Sequence, residues 1–547
     1  MTYRLGATAA PAAGPVTSPG SGRRRAMAAL VRMEATRLAR HPGAVVALLL
    51  ACLGLYALTD ARTARFPILQ DADQLAQPVL ALLLGGVALV LSNAAVLRAH
   101  RHGAEAALAV LVLPDRWRAA AHLLALTPLA LLAAAVAAGH IALLAALPGA
   151  AGRPNGYELA TGPVLVLLLG ATGVLLGHLF RTVVAGPLTM VAFAAITLVS
   201  VALVPPDAGQ PNPLVPILRP TSGDPLLGPA PLPVDLMTRP AGRHLAYLAG
   251  LLALVTTVAL LRAGRADPTR GAHGRSRLAV AFLAALVLTV GAGAAQAAAS
   301  DPSIVNARAA ATQRPASRQR CRTIQLVTYC AFPGFEPWVA GWNDVVRGVL
   351  RRVPPSVAAQ PLAVRQRVVA DATSNQQING VTVPPPVDAW RADDSAAGTP
   401  NAITAGTWWG DGWSETGLAG RVAYELITHS GPGVTATLCG ARGVLVGWLA
   451  GQATADTRAG LRTIAGGSRG GAVAFTEAGF GSSLVLTDPE LTMVWALLDR
   501  PADEVGKRVL DSWAELSASG TSLEQAAKLL GVAVPSGGSA EGARQCG

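Results

Sequence analysis

Residues 119–147 read AAAHLLALTPLALLAAAVAAGHIALLAAL and contain no Asp, Glu, Lys or Arg. A helix needs about 20 mostly apolar residues to cross the hydrocarbon core of a bilayer, and this stretch is long enough. Six other stretches have the same character: 43–59, 78–97, 162–180, 183–204, 244–261 and 278–298. The sequence therefore predicts about seven transmembrane helices.

The composition agrees with this prediction. Of the 547 residues, 52% are hydrophobic and 14% are charged, whereas soluble proteins carry about 25% charged residues. Such a balance excludes a disordered chain, an acidic tail protein and an ordinary cytosolic enzyme.

The distribution of arginine predicts the orientation of a multi-pass protein in the cell membrane. Alternate loops, counted from the N-terminal tail, hold 17 Arg, against 6 in the opposite set. Because cytoplasmic loops carry the excess of basic residues, we expect the N-terminus in the cytoplasm and residues 299–547 outside. The net charge of +12 lies entirely before residue 299, beside the predicted spans, so no nucleic-acid partner is expected.

The cysteines support an exterior location for the C-terminal part. Four of the five lie there (Cys321, Cys330, Cys439 and Cys546). An even number of cysteines in an extracytoplasmic domain is typical of disulfides. We favour Cys321–Cys330 and Cys439–Cys546 among the three possible pairings, and free buried thiols are the alternative.

The predicted organisation has five parts: a cytoplasmic tail with an interfacial amphipathic helix (1–42), a six-span membrane domain (43–262), a basic cytoplasmic loop with the seventh span (263–298), a polar linker (299–320) and an extracytoplasmic domain (321–547). In the extracytoplasmic domain most segments show the helical spacing of apolar residues. One segment, TIQLVTYCAF, shows the alternation of a strand. Ser522 or Thr521 is expected to cap the final helix. The predicted fold class is an α-helical integral membrane protein with about seven transmembrane helices, plus a mainly α C-terminal domain with minor β structure.

Two cytoplasmic segments carry a resemblance to a known family. VRMEATRLARHPG (31–43) precedes the first span as a basic amphipathic helix, and LRAHRHGAEAALAVLVLPDRW (97–117) joins the second and third spans through a short apolar run. Together they resemble the membrane subunits of type-2 ABC exporters, which have an interfacial helix, six spans and a coupling helix in this loop. An unstructured basic tail and a solvated basic connector are the alternatives.

The resemblance implies a separate cytoplasmic ATP-binding subunit and a dimeric permease assembly in contact with membrane lipid. It also implies which loop residues would contact the ATPase: Arg98, Arg101, Glu105, Leu108, Leu111, Val112, Pro114 and Arg116. The seventh span and the exterior domain depart from the family pattern.

The chain does not contain its own energy source. A phosphate-binding loop needs G-x-x-x-x-G-K-[ST], and the two lysines, Lys507 and Lys528, stand in other contexts. No Asp, Glu, Lys or Arg lies centrally in a predicted span, and His122, His140 and His178 are expected to pack near span ends. We therefore expect no ion-driven pump and no cofactor.

Two patterns in the exterior domain suggest hydrolytic chemistry but lack the required partners. Ser468 lies in G-x-S-x-G at 466–470, yet the one histidine after residue 298, His429, precedes it instead of following it. RVAYELITHSG (421–431) resembles the zinc helix of gluzincin aminopeptidases, with Glu425 at the general-base position. Tyr424, Thr428 and Gly451 replace the three ligands, and His429 stands one place late. We expect no metal and no catalytic residue; chance similarity of an amphipathic helix is the alternative.

A third pattern, TWWGDGWSETG (407–417), suggests binding. Its aromatic and acidic residues could form a surface for a sugar or a cationic group: Trp408, Trp409, Asp411, Trp413 and Glu415. The alternative is that these tryptophans are core residues.

The sequence as a whole favours a membrane subunit of an ABC-type exporter that is not itself an enzyme. The first alternative is a membrane-anchored extracytoplasmic binding or sensing protein. The second is a surface metallopeptidase-like protein that has lost its zinc ligands.

Overall fold

The computed structural model describes residues 19–59, 65–102, 113–203, 232–237, 240–264, 272–297, 302–369, 377–378, 381–382, 386–431, 435–467, 473–476 and 483–535. The helices of the N-terminal part are α1 (Pro19–Arg40), α2 (Pro42–Leu58), α3 (Leu69–Leu80), α4 (Gly86–Arg101), α5 (Asp115–Leu124), α6 (Thr127–Ala145), α7 (Gly156–Phe180), α8 (Ala185–Leu203), α9 (Ala241–Ala263) and α10 (Ala272–Ala297). A π-helical turn, Ala81–Gly85, joins α3 to α4.

Several of these helices have the length and composition of membrane spans. Five segments qualify within the described residues: Ala76–Arg98, Asp115–Ala145, Gly156–Phe180, Ala241–Ala263 and Ser276–Gln296. The chain thus has the helices expected of a membrane protein. The predicted spans at 43–59 and 183–204 correspond to α2 and α8, which are apolar but fall outside this set of five.

The first helix pair explains part of the difference in span count. α1 and α2 meet at a bend of 56°, and counting the pair as one span gives six. The bend lies at His41, whose backbone is extended (φ −67°, ψ 129°) before Pro42. A residue that precedes proline is driven out of the helical region by the proline ring, so the local sequence fixes this bend.

We call the N-terminal helices α1–α10 the membrane part, after their apolar segments. Helix α7 lies at its centre, between α4 and α9. Its glycines allow close approach: a Cβ at Gly173 would collide with the carbonyl oxygen of Leu89 on α4. Small residues at helix crossings let backbones pack directly in membrane proteins, so any larger residue at 173 would force α4 and α7 apart.

The C-terminal part is mainly helical. Its helices are α11 (Pro302–Gln313), α12 (Val339–Leu350), α13 (Pro355–Ala358), α14 (Val387–Ala396), α15 (Trp413–Thr428), α16 (Gly440–Ala453), α17 (Ala455–Gly467), α18 (Asp488–Leu498), α19 (Ala502–Asp511), α20 (Trp513–Ser517) and α21 (Leu523–Leu530). Ser522, one of the two residues predicted to cap the final helix, caps α21. Its side chain and that of Gln525 form a reciprocal capping box.

Three small sheets accompany these helices. Their strands are β1 (Arg320–Ile324), β2 (Val327–Ala331), β3 (Leu362–Gln366), β4 (Gln377–Ile378), β5 (Val381–Thr382), β6 (Ile403–Ala405), β7 (Ala436–Leu438), β8 (Val473–Thr476) and β9 (Ser483–Leu486). The sheet orders are β1-β2-β3-β6, β4-β5 and β7-β9-β8. In the first sheet β1 and β2 are antiparallel, whereas β3 pairs in parallel with both β2 and β6.

Two expectations for the start of this part were wrong. The single strand predicted at TIQLVTYCAF is a hairpin, because the chain reverses at Gln325, whose φ is +55°. The predicted linker 299–320 contains the packed helix α11, in which Ala311 and Thr312 are buried. Tertiary contacts hold this helix: Trp390 donates to the carbonyl of Thr312 at 2.6 Å.

The predicted Cys321–Cys330 disulfide is present and joins directly opposed residues of β1 and β2. Cys439 is disulfide-bonded as well. Its predicted partner, Cys546, lies outside the described residues. Cys52 in α2 is a free, exposed cysteine.

The C-terminal domain packs directly onto three connections of the membrane part, which we call the docking interface: residues 65–70, 147–152 and 232–237. Ile68, Ala151 and Leu236 belong to the same buried apolar core as the domain itself. Polar contacts add to this packing, since Gly152 donates to the carbonyl of Gly334 at 2.8 Å and the Trp338 indole donates to that of Gly149 at 2.9 Å. The three connections and the C-terminal domain therefore lie at the same end of the membrane helices.

Candidate functional site

Charged and polar side chains from four helices meet at the end of the membrane part opposite the docking interface. We call this set the polar end cluster: Glu34, Asn93, Arg98, Arg118, His122 and His178. Glu34 on α1 is its centre, because its carboxylate accepts from Arg98 on α4 at 2.8 Å and from Arg37 at 3.2 Å. The Glu34 side chain is 4% exposed, so the helix α1 is held to α4 by a buried carboxylate.

The other members surround this ion pair. His122 on α5 lies within electrostatic range of Glu34, Arg98 and Arg118, and also of His178 on α7. Arg118 forms an ion pair with Asp115 in the first turn of α5. The cluster thus brings together polar side chains of α1, α4, α5 and α7, and the Glu34–Arg98 ion pair joins α1 to α4.

Several buried atoms of the cluster lack hydrogen-bond partners within the described ranges. They are Glu34 Oε2, His178 Nε2 and both amide atoms of Asn93. A buried polar group without a partner costs about 1–3 kcal/mol. Such groups make the cluster a candidate functional site.

The cluster brackets the segment 103–112. Arg98 lies just before that segment on α4, and Arg118 and His122 lie just after it on α5. The predicted ATPase contacts Glu105, Leu108, Leu111 and Val112 fall within it, outside the described residues.

The remaining predicted ATPase contacts have distinct positions. Arg101 is exposed at the end of α4, Pro114 begins α5 and Arg116 is half-buried on its first turn. The Arg98 guanidinium binds Glu34 on α1, and its side chain is 40% exposed.

Sequence reasoning missed Glu34. The residue stands 64 positions before Arg98, and no spacing rule connects them. One signal was available: Glu34 is the one acid in a helix of six arginines, at odds with a purely basic interfacial helix.

The residues predicted to form a ligand surface do not share one surface. Trp409 is 2% exposed and packs edge-on between Phe66 of the docking interface and Trp342, with both ring centroids 6.3 Å away. It is therefore a core residue, as the alternative held. Trp408 is half-buried and Trp413 is exposed.

The two acids of that pattern stabilise the start of α15. Glu415 accepts from Gly412 N at 2.8 Å, and Asp411 accepts from Ser414 N at 2.8 Å. Burial raises the pKa of Glu415 to about 7. Both carboxylates thus serve helix capping, which leaves Trp413 alone as an exposed aromatic ring.

The helix that resembles a zinc helix is α15, and its residues have local roles. Glu425 is buried and accepts from Gly431 N at 2.8 Å; burial raises its pKa to about 7. Thr428 donates to the carbonyl of Tyr424, and His429 ends the helix at φ +55°.

The metal-ligand pattern is absent from this region. No group of three or more His, Cys, Asp or Glu that could hold a metal occurs in the described part of the chain. At Gly451 a Cβ would meet Leu498 at 2.8 Å and Leu461 at 3.3 Å, so this position faces the apolar core. Ser468 lies outside the described residues.

A buried ion network elsewhere in the domain was not anticipated. Asp394 on α14 binds Arg367 Nη2 at 2.5 Å and Arg365 Nε at 3.3 Å, and all three side chains are at most 2% exposed. Arg367 also lies 4.7 Å over the ring of Trp390. Because the partners come from β3 and α14, the network joins the sheet to its covering helix.

Comparison with models of known protein families, with curated proteins and with solved structures finds no match for this chain.

Proposed function

We propose that this chain is the membrane subunit of an ABC-type exporter that works with a separate cytoplasmic ATPase subunit. The observation that carries the proposal is the polar end cluster. The Glu34–Arg98 ion pair joins α1 to one flank of segment 103–112, and α1 also packs against α5, which carries the other flank. A partner that moves this segment could therefore move α1 as well.

The mechanism follows from this connection. When the ATPase subunit closes on ATP, it displaces segment 103–112 and with it the ends of α4 and α5. The Glu34–Arg98 ion pair transmits that displacement to α1. The unpaired atoms of Asn93, Glu34 and His178 then gain partners in the displaced arrangement, so the cost of burying them falls. Rearranged helix packing opens the substrate path on the opposite face, which is alternating access.

The exterior domain takes part in this motion. It shares an apolar core with three connections between membrane helices, so those helices cannot shift without the domain. In the proposed orientation, with seven spans, the docking interface lies outside the cell and the polar end cluster lies in the cytoplasm, in agreement with the arginine distribution.

Purification of the tagged chain from native membranes tests the proposal. We expect an ATPase subunit to co-purify and to be identified by mass spectrometry. The double substitution Glu105→Arg with Leu108→Asp should remove it, because a reversed charge and a new acid would disrupt the apolar run that the sequence predicts to fit a groove of the partner. Membrane insertion should be unchanged, since neither residue lies in a predicted span.

The control applies the same chemistry on the exterior domain, as Glu504→Arg with Leu510→Asp, two exposed positions. This variant should keep the ATPase subunit. If wild-type protein brings no ATPase, or if the loop variant keeps it at wild-type level, the proposal is wrong and a membrane-anchored binding protein becomes the better description.

Arg98→Ala gives a second readout. The variant should still bind the ATPase subunit, because the Arg98 guanidinium is bound to Glu34, but ATP hydrolysis by the purified complex should fall several-fold. Unchanged ATP hydrolysis would show that the polar end cluster has no part in the mechanism.

A further inference from the structure

An open apolar cleft lies in the angle between α1 and α2, against α6. It is lined by Ala35, Leu38, Ala39, Ala44, Val45, Leu48, Ala125, Pro128, Leu129 and Leu132. Every lining side chain is apolar, so the cleft suits a hydrocarbon ligand.

The cleft is a consequence of the bend at His41. A straight continuation of α1 into α2 would leave no angle to fill, whereas the bend of 56° separates the two helices on one side. α6 closes the back of this angle with Leu129 and Leu132. Because His41 and Pro42 fix the bend, the cleft is built into the local sequence.

Helix α1, which forms one wall of the cleft, is strongly basic. α1 carries six arginines and one acid, Glu34, which is buried and paired. Arg32 precedes the lining residue Ala35 by one turn, and Arg40 follows the lining residue Ala39. Both are exposed, and within the described residues neither makes an ion pair. Positive charge beside an apolar cleft complements an amphiphile with an anionic head.

We propose that this cleft holds one acyl chain of an anionic phospholipid, with its phosphate group on Arg32 and Arg40. The inference rests on the membrane location within the proposed function, but it needs no ATPase partner. A seated chain would fill the angle between α1 and α2 and so fix the tilt of α1. Since α1 carries Glu34, the lipid would also position the polar end cluster.

Native mass spectrometry of the purified full chain tests the proposal. The chain is mixed with phosphatidylglycerol or with phosphatidylcholine of identical acyl chains. We expect at least tenfold stronger retention of one phosphatidylglycerol molecule. Ala39→Trp fills the cleft and should abolish that bound molecule, whereas Arg32→Gln with Arg40→Gln should keep lipid binding and lose the headgroup preference.

Leu143→Trp is the matched control, because Leu143 is 73% exposed at the far end of α6. It adds the same side chain to α6, one of the helices that line the cleft, but away from the cleft itself, and should retain lipid like wild type. Size-exclusion profiles show whether each variant is folded, and Leu48→Trp replaces Ala39→Trp if that variant aggregates. Equal retention of both lipids by wild type, or equal phosphatidylglycerol binding by the cleft variant and the Leu143 control, would overturn the proposal. Because ATPase co-purification is measured separately, either result leaves the proposed function to its own test.

Discussion

Glu425 is a buried carboxylate whose protonation is linked to the stability of the C-terminal domain. Its pKa is raised to about 7 by burial, above the usual value of about 4.3 in an unfolded chain. The folded state therefore binds the proton more tightly. The stability that this contributes is present in full below about pH 4 and is lost as the pH rises through 7.

We expect Glu425→Gln to stabilise the domain at pH 8 and to have little effect at pH 5. Glutamine keeps an oxygen that accepts from Gly431 N but removes the buried charge. One pKa unit corresponds to about 1.4 kcal/mol, so the gain at pH 8 should be on the order of 1–3 kcal/mol. Thermal unfolding at both pH values measures it.

Glu524→Gln serves as the control, since Glu524 is exposed on α21 and should show no such difference between the two pH values. A variant at 425 that destabilises the domain equally at both would show that the carboxylate is needed in its ionised form. In that case a functional role for Glu425 would return to consideration.

At the scale of single residues, sequence reasoning identified positions better than roles. Glu425 stood out by its resemblance to a general base, yet its contact is with the turn that follows its own helix. Trp409 was singled out as a ligand contact, but Phe66, far away in sequence, covers it. Both errors have one cause, because a side chain's partner is set by tertiary contacts that no local pattern contains.

The β1–β2 hairpin is an element whose stability depends on a covalent link. Cys321 and Cys330 close a short loop, with a sequence separation of 9. Because the disulfide restricts the unfolded chain, loop-closure entropy predicts that it raises the free energy of unfolding by about 2–3 kcal/mol. Cys321→Ser with Cys330→Ala should lower the unfolding free energy of the domain by this amount.

Thiol counting tests the same element without a variant. The denatured chain should expose one reactive thiol before reduction, that of Cys52, and five after reduction. Cys52→Ala should reduce the first count to zero. Equal counts before and after reduction would contradict both the hairpin disulfide and the bonded state of Cys439.

Helices and strands were predictable from the sequence where a single physical quantity determines their position. The apolar spans follow from hydropathy, because a helix in lipid must satisfy its own backbone and present apolar side chains. The helix α11 was missed because its polar, Ala-rich sequence has no apolar stripe, and contacts with Leu236 and Trp390 hold it instead. The hairpin was missed because its turn uses Gln325 at positive φ, where glycine or asparagine is the usual signal.

At the scale of the whole molecule, the docking interface joins the membrane part to the C-terminal domain through one shared apolar core. Arg65 binds Asp456 on α17 through two contacts, at 2.6 and 3.1 Å, and beside it Phe66 packs on Trp409. The ion pair alone contributes little, because both partners are about half exposed. The shared apolar core holds the two parts together.

Cross-linking in intact cells tests this arrangement and the orientation at once. In a Cys52→Ala background, the pair Arg65→Cys with Asp456→Cys should be joined by a short, membrane-impermeant bismaleimide, since the two native side chains are in contact and both are predicted to lie outside. Mass spectrometry should recover the linked peptides.

The control pair is Arg65→Cys with Asp503→Cys, because Asp503 is 97% exposed and binds Arg352 on a different surface of the domain. The thiol introduced at position 503 should react with the reagent from outside but form no link to the thiol introduced at position 65. Linking that appears only after permeabilisation would reverse the proposed orientation, since the interface would then lie in the cytoplasm. Equal linking in both pairs would mean that the C-terminal domain moves freely relative to the membrane helices. A helix motion that starts at the polar end cluster could then not be transmitted to the domain.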